Sequence, residues 1–309
     1  MGDGSEKLHI AVLGDSMLDE YRQGEWDAQR QVYRPMSLVT VPGGAGNVAC
    51  NVRALGATPL LFSVVGRSQL SAKYRRCLRS AGISQDYIRS SRAKEISHKS
   101  NLMAGEQRLL RMDRDDNSIL TRSDEEALLS NLLESGTMWS DLILSDYRKG
   151  CVTSECFDRV RSFCAQRRIR LYVDSASAWN FGRVFFYKPN RYQLEQVIGK
   201  RFENRDQLSS AALRFKRRYQ ITHMAVTMDR EGLIYLDEHD RICHIESSCR
   251  EAVDPCGAGD TWIAALAVAV ASGHPVARAV RLANEAASVA CNHIGTYAVS
   301  ANEVPGWND

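Results

Sequence analysis

The chain of 309 residues lacks any long hydrophobic segment. Its apolar run from Ile263 to Ala271 has nine residues, whereas a helix that crosses a bilayer needs roughly 20. Residues 1–7 carry charges of both signs, which is not the pattern of a secretory signal peptide. The sequence therefore predicts neither a membrane segment nor an exported protein.

The chain also lacks a surplus of charge of one sign. Its formal net charge at pH 7 is +3, and its basic residues are interleaved with acidic ones. Nucleic-acid-binding surfaces are marked by clustered Lys and Arg. We therefore expect no nucleic-acid partner.

Motifs for a zinc ribbon and for the commonest phosphate-binding loop are missing. The nine cysteines form no C-x-x-C pair, which argues against a zinc ribbon and favours reduced thiols in the cytoplasm. No G-x-x-x-x-G-K-[ST] motif occurs, so a phosphate site in this chain is not of the P-loop kind. What the chain does contain is 44% hydrophobic residues, which is typical of a globular protein.

Short apolar runs alternate with segments of helical periodicity along most of the chain. The runs are typical of buried strands and lie at 9–13, 59–65, 141–144, 170–173, 184–187 and 222–227. Helical spacing is found at 48–55, 124–133, 154–166, 207–219, 262–271 and 276–293. This alternation predicts an α/β fold in which helices cover both faces of a mainly parallel sheet.

Two segments, 17–41 and 95–113, interrupt this alternation. Both contain alternating apolar patterns without a helix, as expected of antiparallel strands that stand apart from the main sheet. No Pro/Ser-rich linker divides the chain. We therefore expect a single domain, residues 1–309, in which these two segments form a β-lid.

The sequence Asp254-Pro-Cys-Gly-Ala-Gly-Asp-Thr261 lies directly before the helix at 262–271. Gly257, Ala258 and Gly259 allow backbone N–H groups to converge at a helix N-terminus, where the helix dipole favours an anion. Asp260 beside such an anion hole could accept a proton from a hydroxyl that attacks a phosphate. The alternative is an acidic residue that only stabilises the first turn of the helix.

A second glycine-rich segment, Pro42-Gly-Gly-Ala-Gly-Asn-Val-Ala-Cys-Asn51, lies between a strand-like run and a helix. Its glycines permit close approach of a ligand, and Asn47 and Asn51 carry amides that can bind sugar hydroxyls. Gly44-x-Gly46-x-x-Ala49 also matches a dinucleotide-binding fingerprint. The acidic residue expected about 20 positions later is absent, so this interpretation predicts an NADP-binding oxidoreductase. A tight turn without a ligand is a third interpretation.

Taken together, Gly43 to Asn47 and Asp254-x-x-Gly-Ala-Gly-Asp260 resemble the two motifs of the ribokinase-like (PfkB) carbohydrate kinases, in the same order. The resemblance extends over nearly the whole chain and implies a three-layer α/β/α fold with a small β-lid. It also implies transfer of a phosphoryl group to a sugar hydroxyl, with ATP and Mg²⁺ as cofactors and the Mg²⁺ carried mainly by the ATP phosphates. A non-catalytic sugar-phosphate sensor on the same fold is an alternative that Asp260 argues against.

The resemblance assigns roles to residues by position. Asp260 is the catalytic base, and Gly257, Ala258 and Gly259 form the anion hole. The residues implied to bind the sugar or its phosphate are Asp15, Asp19, Gly43, Gly44, Asn47, Asn51, Lys99, Gln107, Asp146 and Lys149. Those implied to bind the nucleotide are Asn190, Thr227, Gly232 and Asn284. For Asp146 and Lys149, a turn-forming residue and an exposed cation are the alternatives.

Within the family, the segments 14–19, 107–113, 145–150 and 282–284 are most similar to those of heptose 7-phosphate kinases. This similarity implies a kinase domain that phosphorylates the C1 hydroxyl of D-glycero-β-D-manno-heptose 7-phosphate, in the route to ADP-heptose. A kinase of another sugar or sugar phosphate is the alternative. The chain departs from the pattern at 32–36, at Asn101, where Arg is usual, and at Gln193, where a Glu that contacts the metal is usual. A homodimer through the lid is a further expectation.

Overall fold

The computed structural model describes residues 8–249 and 252–308. Residues 1–7, from which the absence of a signal peptide is predicted, lie outside this part of the chain. Within it, no helix is long and apolar enough to cross a membrane.

Strands and helices alternate along the chain, and every strand and helix predicted from periodicity overlaps an observed one. The strands are β1 (His9–Gly14), β2 (Ser16–Asp27), β3 (Val32–Gly44), β4 (Thr58–Val65), β5 (Ile88–Ser90), β6 (Ser97–Ala104), β7 (Gln107–Arg114), β8 (Asp141–Asp146), β9 (Arg170–Ser175), β10 (Phe186–Tyr187), β11 (His223–Thr227), β12 (Leu233–Leu236) and β13 (Ile242–Ile245). The helices are α1 (Ala45–Ala54), α2 (Gln69–Ser80), α3 (Arg122–Glu134), α4 (Ser154–Arg167), α5 (Arg191–Ile198), α6 (Arg205–Arg218), α7 (Ala258–Ala271) and α8 (Val276–Cys291).

Nine strands form the main sheet, in the order β13-β12-β11-β10-β9-β8-β1-β4-β5. The central strand β1 is parallel to both neighbours, so that Val12 lies opposite Leu61 on one side and Ile143 on the other. The remaining pairs from β5 to β11 are parallel, and β12 and β13 are antiparallel. Because the chain passes to opposite sides of β1 on the way to β4 and to β8, ligands are expected in the crevice at the carboxyl ends of these strands.

Helices cover both faces of the main sheet. Ile10 and Val12 of β1 belong to a core shared with α1, α2, α7 and α8, whereas Ala11 and Leu13 belong to a core shared with α3 to α6. Successive side chains of a strand point to opposite faces, and all four of these side chains are completely buried. The predicted three-layer α/β/α arrangement is confirmed.

Helix α7 is buried on all sides, as its uniformly apolar sequence predicts. All its residues from Asp260 to Val270 are buried, and it packs against α1 and α8. The enclosure of this helix fixes the place of its first turn.

Four strands form a second sheet, in the order β3-β2-β6-β7. They coincide with the predicted lid segments 17–41 and 95–113. Pairing within each hairpin is antiparallel, as predicted, but the two hairpins join through the parallel pair β2 and β6, which was not predicted. Since only Asp15 separates β1 from β2, the second sheet begins at the carboxyl edge of the main sheet.

Candidate active site

The first turn of α7 combines backbone N–H donors with close packing. Gly257 precedes the helix with φ of 81°, a left-handed conformation that favours glycine. A Cβ atom on Gly257 would also lie 2.8 Å from Nδ2 of Asn47. The first N–H groups of a helix have no partner inside the helix. The N–H of Ala258 makes a long hydrogen bond of 3.3 Å to the carbonyl oxygen of Pro255, and the N–H of Gly259 is placed to donate to an anion.

Asp260 lies in this first turn and is 3% exposed. Its Oδ2 accepts a hydrogen bond from Nδ2 of Asn47 at 2.9 Å, and its Oδ1 accepts one from the hydroxyl of Tyr147 at 2.5 Å. Burial raises the pKa of Asp260 to about 6, although the two hydrogen bonds oppose the shift. A carboxylate with this pKa is ionised at pH 7 and is a stronger base than an exposed one.

Tyr147, which sequence reasoning missed, follows β8 and donates to the predicted base. The ammonium of Lys99 lies 5.8 Å from the centroid of the Tyr147 ring. Burial, assisted by the Asp260 carboxylate, raises the pKa of Tyr147, so the phenol stays protonated and remains a donor. Its only signal in the sequence is its place directly after Asp146, at the end of a predicted strand.

Asp15 is buried between β1 and β2, where it organises the loop after β8. Its Oδ2 accepts hydrogen bonds from the N–H groups of Tyr147 at 2.8 Å and Lys149 at 3.0 Å, and its Oδ1 accepts one from the N–H of Cys151 at 2.9 Å. Burial, with a contribution from Asp146, raises the pKa of Asp15. The hydrogen bonds of Asp15 in the structure position Tyr147, and the binding of the sugar by Asp15 remains a prediction.

A row of charged side chains crosses the lid sheet near Tyr147. Asp19 of β2 is paired in register with Lys99 of β6, and Lys99 is paired with Asp113 of β7. The guanidinium of Arg111 donates two hydrogen bonds of 2.7 Å to Asp113. Burial raises the pKa of Asp19 despite the nearby Lys99 and Arg111. The buried Oδ1 of Asp19 has no hydrogen-bond partner in the described part of the chain, so it can accept a hydroxyl of a ligand.

Gly43 and Gly44 provide the space that this arrangement needs. A Cβ atom on Gly43 would lie 2.6 Å from Oδ2 of Asp19. Gly44 has φ of 57°, and a Cβ atom there would lie 2.4 Å from the carbonyl oxygen of Asp15. Both glycines therefore allow the end of β3 to lie against the predicted sugar site.

Asn51 is completely buried and does not reach the cleft. Its Nδ2 donates to the backbone oxygen of Asn47 at 3.0 Å and to Oδ1 of Asn47 at 3.2 Å, and its own Oδ1 accepts from the N–H of Val299 at 3.1 Å. The amide of Asn51 therefore holds Asn47 and the N–H of Val299 in the structure, and its contact with the sugar remains a prediction.

Two further predicted sugar ligands, Gln107 and Lys149, have different surroundings in the structure. Gln107 is exposed and pairs with Ala104 at the turn of the β6–β7 hairpin, at the opposite end of β6 from Lys99. The ammonium of Lys149 forms an ion pair with Asp115 at 2.6 Å. The lid geometry thus separates Gln107 from the cleft and gives Lys149 a partner within the protein.

A cavity of about 510 Å³ lies beside the first turn of α7, within the size range of cofactor sites. Its walls include all four residues predicted to bind the nucleotide, together with one sugar-site residue and two from the anion hole: Asn190, Thr227, Gly232, Asn284, Asp146, Ala258 and Gly259. The structure therefore brings the anion hole and the predicted nucleotide residues together around one space.

A buried ion pair in the wall of this cavity was also missed by sequence reasoning. Nζ of Lys188 lies 2.9 Å from Oδ2 of Asp174, and the two residues are 3% and 8% exposed. A Cβ atom on Gly259 would lie 3.4 Å from the same ammonium, so a cation lies next to the predicted anion hole. The available signal was a Lys directly after the predicted strand 184–187, at the edge where α/β folds bind ligands.

The dinucleotide interpretation of Gly44-x-Gly46-x-x-Ala49 is wrong. The strand before this motif, β3, pairs antiparallel with β2 in the lid sheet. A dinucleotide-binding motif follows a strand of the parallel sheet. The prediction of an NADP-binding oxidoreductase therefore fails on the topology.

Comparison with known proteins supports the kinase interpretation. The chain matches the model of the pfkB family carbohydrate kinases over residues 7–303. It is 29% identical over 302 residues to the bifunctional protein HldE of Sulfurimonas denitrificans, and 31% identical over 308 residues to that of Geobacter sulfurreducens. These matches cover 96% and 97% of this chain but 63% and 62% of the relatives, so the chain spans less than two thirds of their length.

Solved structures confirm the ribokinase-like fold. The chain is similar to phosphofructokinase-2 from Escherichia coli in complex with fructose-6-phosphate, with a TM-score of 0.77, 19% identity and 97% of both chains covered. It is also similar to ribokinase from Arabidopsis thaliana complexed with ribose and ATP, with a TM-score of 0.71, 18% identity and coverage of 98% of this chain and 97% of the other. The family match over residues 7–303 identifies the chain as a member of the pfkB carbohydrate kinases, which are phosphotransferases with an alcohol group as acceptor.

Proposed function

We propose that the protein is an ATP- and Mg²⁺-dependent kinase that phosphorylates the C1 hydroxyl of D-glycero-β-D-manno-heptose 7-phosphate, in the route to ADP-heptose. The main observation in support is the buried carboxylate of Asp260, with a pKa of about 6, between the charged row of the lid and the 510 Å³ cavity. The similarity to the HldE proteins supports heptose phosphate as the substrate.

In this proposal Asp260 accepts the proton of the attacking sugar hydroxyl. Its two oxygens each accept one hydrogen bond from the protein, and a carboxylate oxygen has a second lone pair for the hydroxyl. A positioned general base contributes about 10² to 10⁴ to the rate. Asn47 and Tyr147 hold the carboxylate in one orientation while it receives the proton.

The transferred phosphoryl group is stabilised by the anion hole and by Lys188. Backbone N–H groups at the start of α7 and a buried ammonium are donors that are already in place before the reaction. Lys188 is neutralised by Asp174 in the structure, and ATP phosphates would offer the ammonium further acceptors. The cavity walls formed by Asn190, Thr227, Gly232 and Asn284 would hold the rest of the nucleotide.

Mg²⁺ fits this cavity as an ion carried by ATP. In the described residues, no three His, Cys, Asp or Glu side chains are grouped so as to hold a metal. Mg²⁺ is usually held by one or two protein oxygens, several waters and the substrate phosphates, and Asp146 and Asn190 in the wall are suitable oxygens. Gln193, the departure from the family pattern, accepts a hydrogen bond from the N–H of Asn190 at 2.7 Å and caps α5. The ion would supply charge neutralisation of the phosphates.

The phosphate of the sugar would be bound by lid cations. Lys99 lies over Tyr147, and charge-assisted hydrogen bonds to phosphate are strong. Asn101 replaces the usual Arg, but Arg111 lies opposite Asn101 on the neighbouring strand. A guanidinium is therefore still present in this part of the lid.

The test is a screen for ADP release with heptose 7-phosphate, unphosphorylated heptose, fructose 6-phosphate and ribose. We expect the highest kcat/KM with heptose 7-phosphate. Lys99→Ala should raise KM for heptose 7-phosphate at least tenfold more than for heptose, because a hydrogen bond to a charged group contributes about 1.5–3 kcal/mol and about 1.4 kcal/mol is tenfold. The exposed Lys200 provides a control in Lys200→Ala, which should change neither KM.

Three other outcomes of these experiments would change or contradict the proposal. A higher kcat/KM with fructose 6-phosphate or ribose would assign another sugar to the same fold. Equal effects of Lys99→Ala on both heptoses would remove Lys99 from the phosphate site. Absence of ADP release with any sugar would contradict the proposed substrate class.

The proposal also includes a homodimer through the lid, in the cytoplasm. Large apolar side chains are exposed on both edge strands of the lid sheet: Met36 by 73%, Val39 by 52%, Leu110 by 50% and Met112 by 48%. Exposed apolar surface of this kind marks protein interaction sites. In sedimentation experiments the wild type should be a dimer and the Met36→Asp variant a monomer. A monomeric wild type would contradict the proposed dimer.

The nine cysteines are all free, which suits the reducing environment of the cytoplasm.

A further inference from the structure

A second cavity, of about 210 Å³, lies between the end of α4 and the starts of β9, β10 and β11. We call it the arginine cavity, because the charged residues that line it are Arg161, Arg168, Arg170 and Arg183. None of its lining residues, all within the described ranges, is acidic. The strands begin here and end at the active site, so the two sites lie at opposite edges of the sheet. A strand of six residues such as β9 places them roughly 20 Å apart.

Two of these arginines are neutralised by the protein itself. Nε and Nη2 of Arg170 donate to the two carboxylate oxygens of Asp141 at 2.6 and 2.7 Å. Arg161 donates to Asp158 at 3.1 Å.

The other two arginines have no such partner. In residues 8–249 and 252–308, neither Arg168 nor Arg183 forms an ion pair with a carboxylate, and Nε of Arg183 donates to the neutral amide of Gln220 at 3.2 Å. Both residues are exposed, so the rim of the cavity carries two charges that are paired with no carboxylate of the described residues.

The backbone at both unpaired arginines is left-handed. Arg168 has φ of 57° as the C-cap of α4, a position where helices commonly end in this conformation. Arg183 has φ of 65° outside any helix, and an outlier of this kind is a reason to look for a function. The dipole of α4 does not require the charge of Arg168, because Arg167 already places a cation at the end of this helix. Arg183 does not lie at the end of a helix.

We propose that the arginine cavity binds a phosphate or diphosphate group. Guanidinium groups bind phosphate oxygens through paired hydrogen bonds. The volume of about 210 Å³ is below the roughly 300 Å³ at which sites for drug-sized ligands begin. It therefore suits a phosphate-sized anion better than a whole nucleotide. This site is independent of the proposed kinase substrate.

The experiment is isothermal titration of the full chain with inorganic pyrophosphate in the absence of Mg²⁺. We expect two binding sites in the wild type, one at the anion hole and one in the arginine cavity. The double variant Arg168→Asn/Arg183→Asn should lose the second site or weaken it more than tenfold. Asn tolerates the left-handed conformation, so the substitution introduces no new backbone strain. Lys188→Gln should weaken the first site and leave the second intact.

The control is Arg167→Gln, which removes the same charge at the same helix end but outside the cavity. It should retain both sites. Kinase turnover of the double variant should stay within about twofold of the wild type, because the cavity lies at the opposite edge of the sheet. Circular dichroism verifies folding, and the single variant Arg183→Asn replaces the double one if the latter unfolds. A single site in the wild type, or equal weakening by Arg167→Gln and by the double variant, would overturn the proposal.

Discussion

The carboxylate of Asp260 is held between two donors, and each donor is itself held by a buried polar residue. Asn47 donates to one oxygen and Tyr147 to the other. Asn51 binds Asn47 through its side-chain amide, and Asp15 binds the N–H of Tyr147. Asn51 and Asp15, which were predicted as sugar ligands, therefore lie one step behind the predicted base. Rigid support of this kind is what keeps a catalytic group in productive geometry.

Asp260→Asn should lower kcat by about 10² to 10⁴, the contribution of a positioned general base. The amide has the same shape as the carboxyl group, so ATP binding should be nearly unchanged. Turnover with saturating sugar and titration with ATP measure the two effects. Asp206→Asn makes the same change in the first turn of α6 and should keep wild-type turnover. Near-normal kcat in Asp260→Asn would make this aspartate structural.

Tyr147→Phe should shift the acidic limb of the pH–rate profile upward. The Tyr147 hydrogen bond lowers the pKa of Asp260, so its loss should raise that pKa above about 6. The base works in its ionised form, and kcat/KM is lost as the pH falls through its pKa. A hydrogen bond to a charged group contributes about 1.5–3 kcal/mol, which corresponds to a shift of about one pH unit or more.

The profile is recorded between about pH 5 and 9, around the pKa range of a useful base. The control is Tyr87→Phe, which removes a hydroxyl that donates to the sulfur of Met138. It should leave the pH–rate profile unchanged. An acidic limb that stays in place in Tyr147→Phe would show that this hydroxyl does not tune Asp260.

Site residues could be predicted where the backbone dictates the residue type. Gly257 and Gly44 have positive φ, and both belong to motifs that are visible in the sequence. Tyr147 and Lys188 belong to no such motif. Their proposed roles arise from contacts with Asp260 and Asp174, and Tyr147 is more than 100 positions from Asp260 in the sequence. Pairing at that distance follows from the order of the strands, which periodicity does not give.

At the scale of elements, the lid is a pair of hairpins that the parallel pair β2 and β6 joins into one sheet. This pair places Asp19 next to Lys99, so residues 80 positions apart in the sequence share one face of the cleft. The strand β3 returns against β2 and brings Gly43 to the carboxylate of Asp19. The position of Asp19 therefore depends on how closely β3 approaches.

Gly43→Ala should raise KM for the sugar about tenfold or more with little effect on KM for ATP. Its Cβ would lie 2.6 Å from Oδ2 and 2.9 Å from Cγ of Asp19, so the carboxylate has to move, and a hydrogen bond of a charged group is worth about 1.5–3 kcal/mol. Steady-state kinetics with each substrate varied measure the difference. Gly182→Ala is the control, because its nearest atom would be at an ordinary 3.5 Å. A KM for ATP that rises as much as that for the sugar would place Gly43 outside the sugar site.

The elements that periodicity did not predict are short or polar. Strand β5 has three residues, strands β12 and β13 have four each, and helix α5 has eight residues with Leu194 as its buried residue. Helix α2 has one buried polar residue and two large buried ones, Tyr74 and Leu78. Hydrophobic periodicity cannot detect elements with so few buried positions, whereas the long, strongly apolar α7 was predicted directly.

At the scale of the whole molecule, the two edges of the main sheet carry charged side chains of opposite sign. The carboxyl ends of β1 and β8 carry buried carboxylates, including Asp15 and Asp146, whereas the starts of β9 to β11 carry arginines around a small cavity. Burial disfavours the charged forms of Asp15, Asp19 and Asp260 and raises the pKa of each. The active site therefore lowers the stability of the fold in a way that depends on pH.

Asp260→Asn should stabilise the ligand-free protein at neutral pH but not in acid. Folding raises the pKa of Asp260 from 3.8 to about 6. Below the lower value the carboxyl group is protonated in both the folded and unfolded states, so it has no effect on stability. Above the higher value it is ionised in both states, and the folded state is disfavoured by roughly 3 kcal/mol.

The neutral amide of the variant removes this cost, although its NH₂ group faces the Asn47 donor, which offsets the gain by about 1 kcal/mol. The free energy of unfolding of the variant should thus exceed that of the wild type by about 2 kcal/mol near pH 7.5 and fall below it near pH 4. Urea denaturation at both pH values measures the difference, and Asp206→Asn should show no comparable change. A difference between Asp260→Asn and the wild type that does not vary with pH would mean that Asp260 is not the buried, high-pKa carboxyl group on which the catalytic role depends.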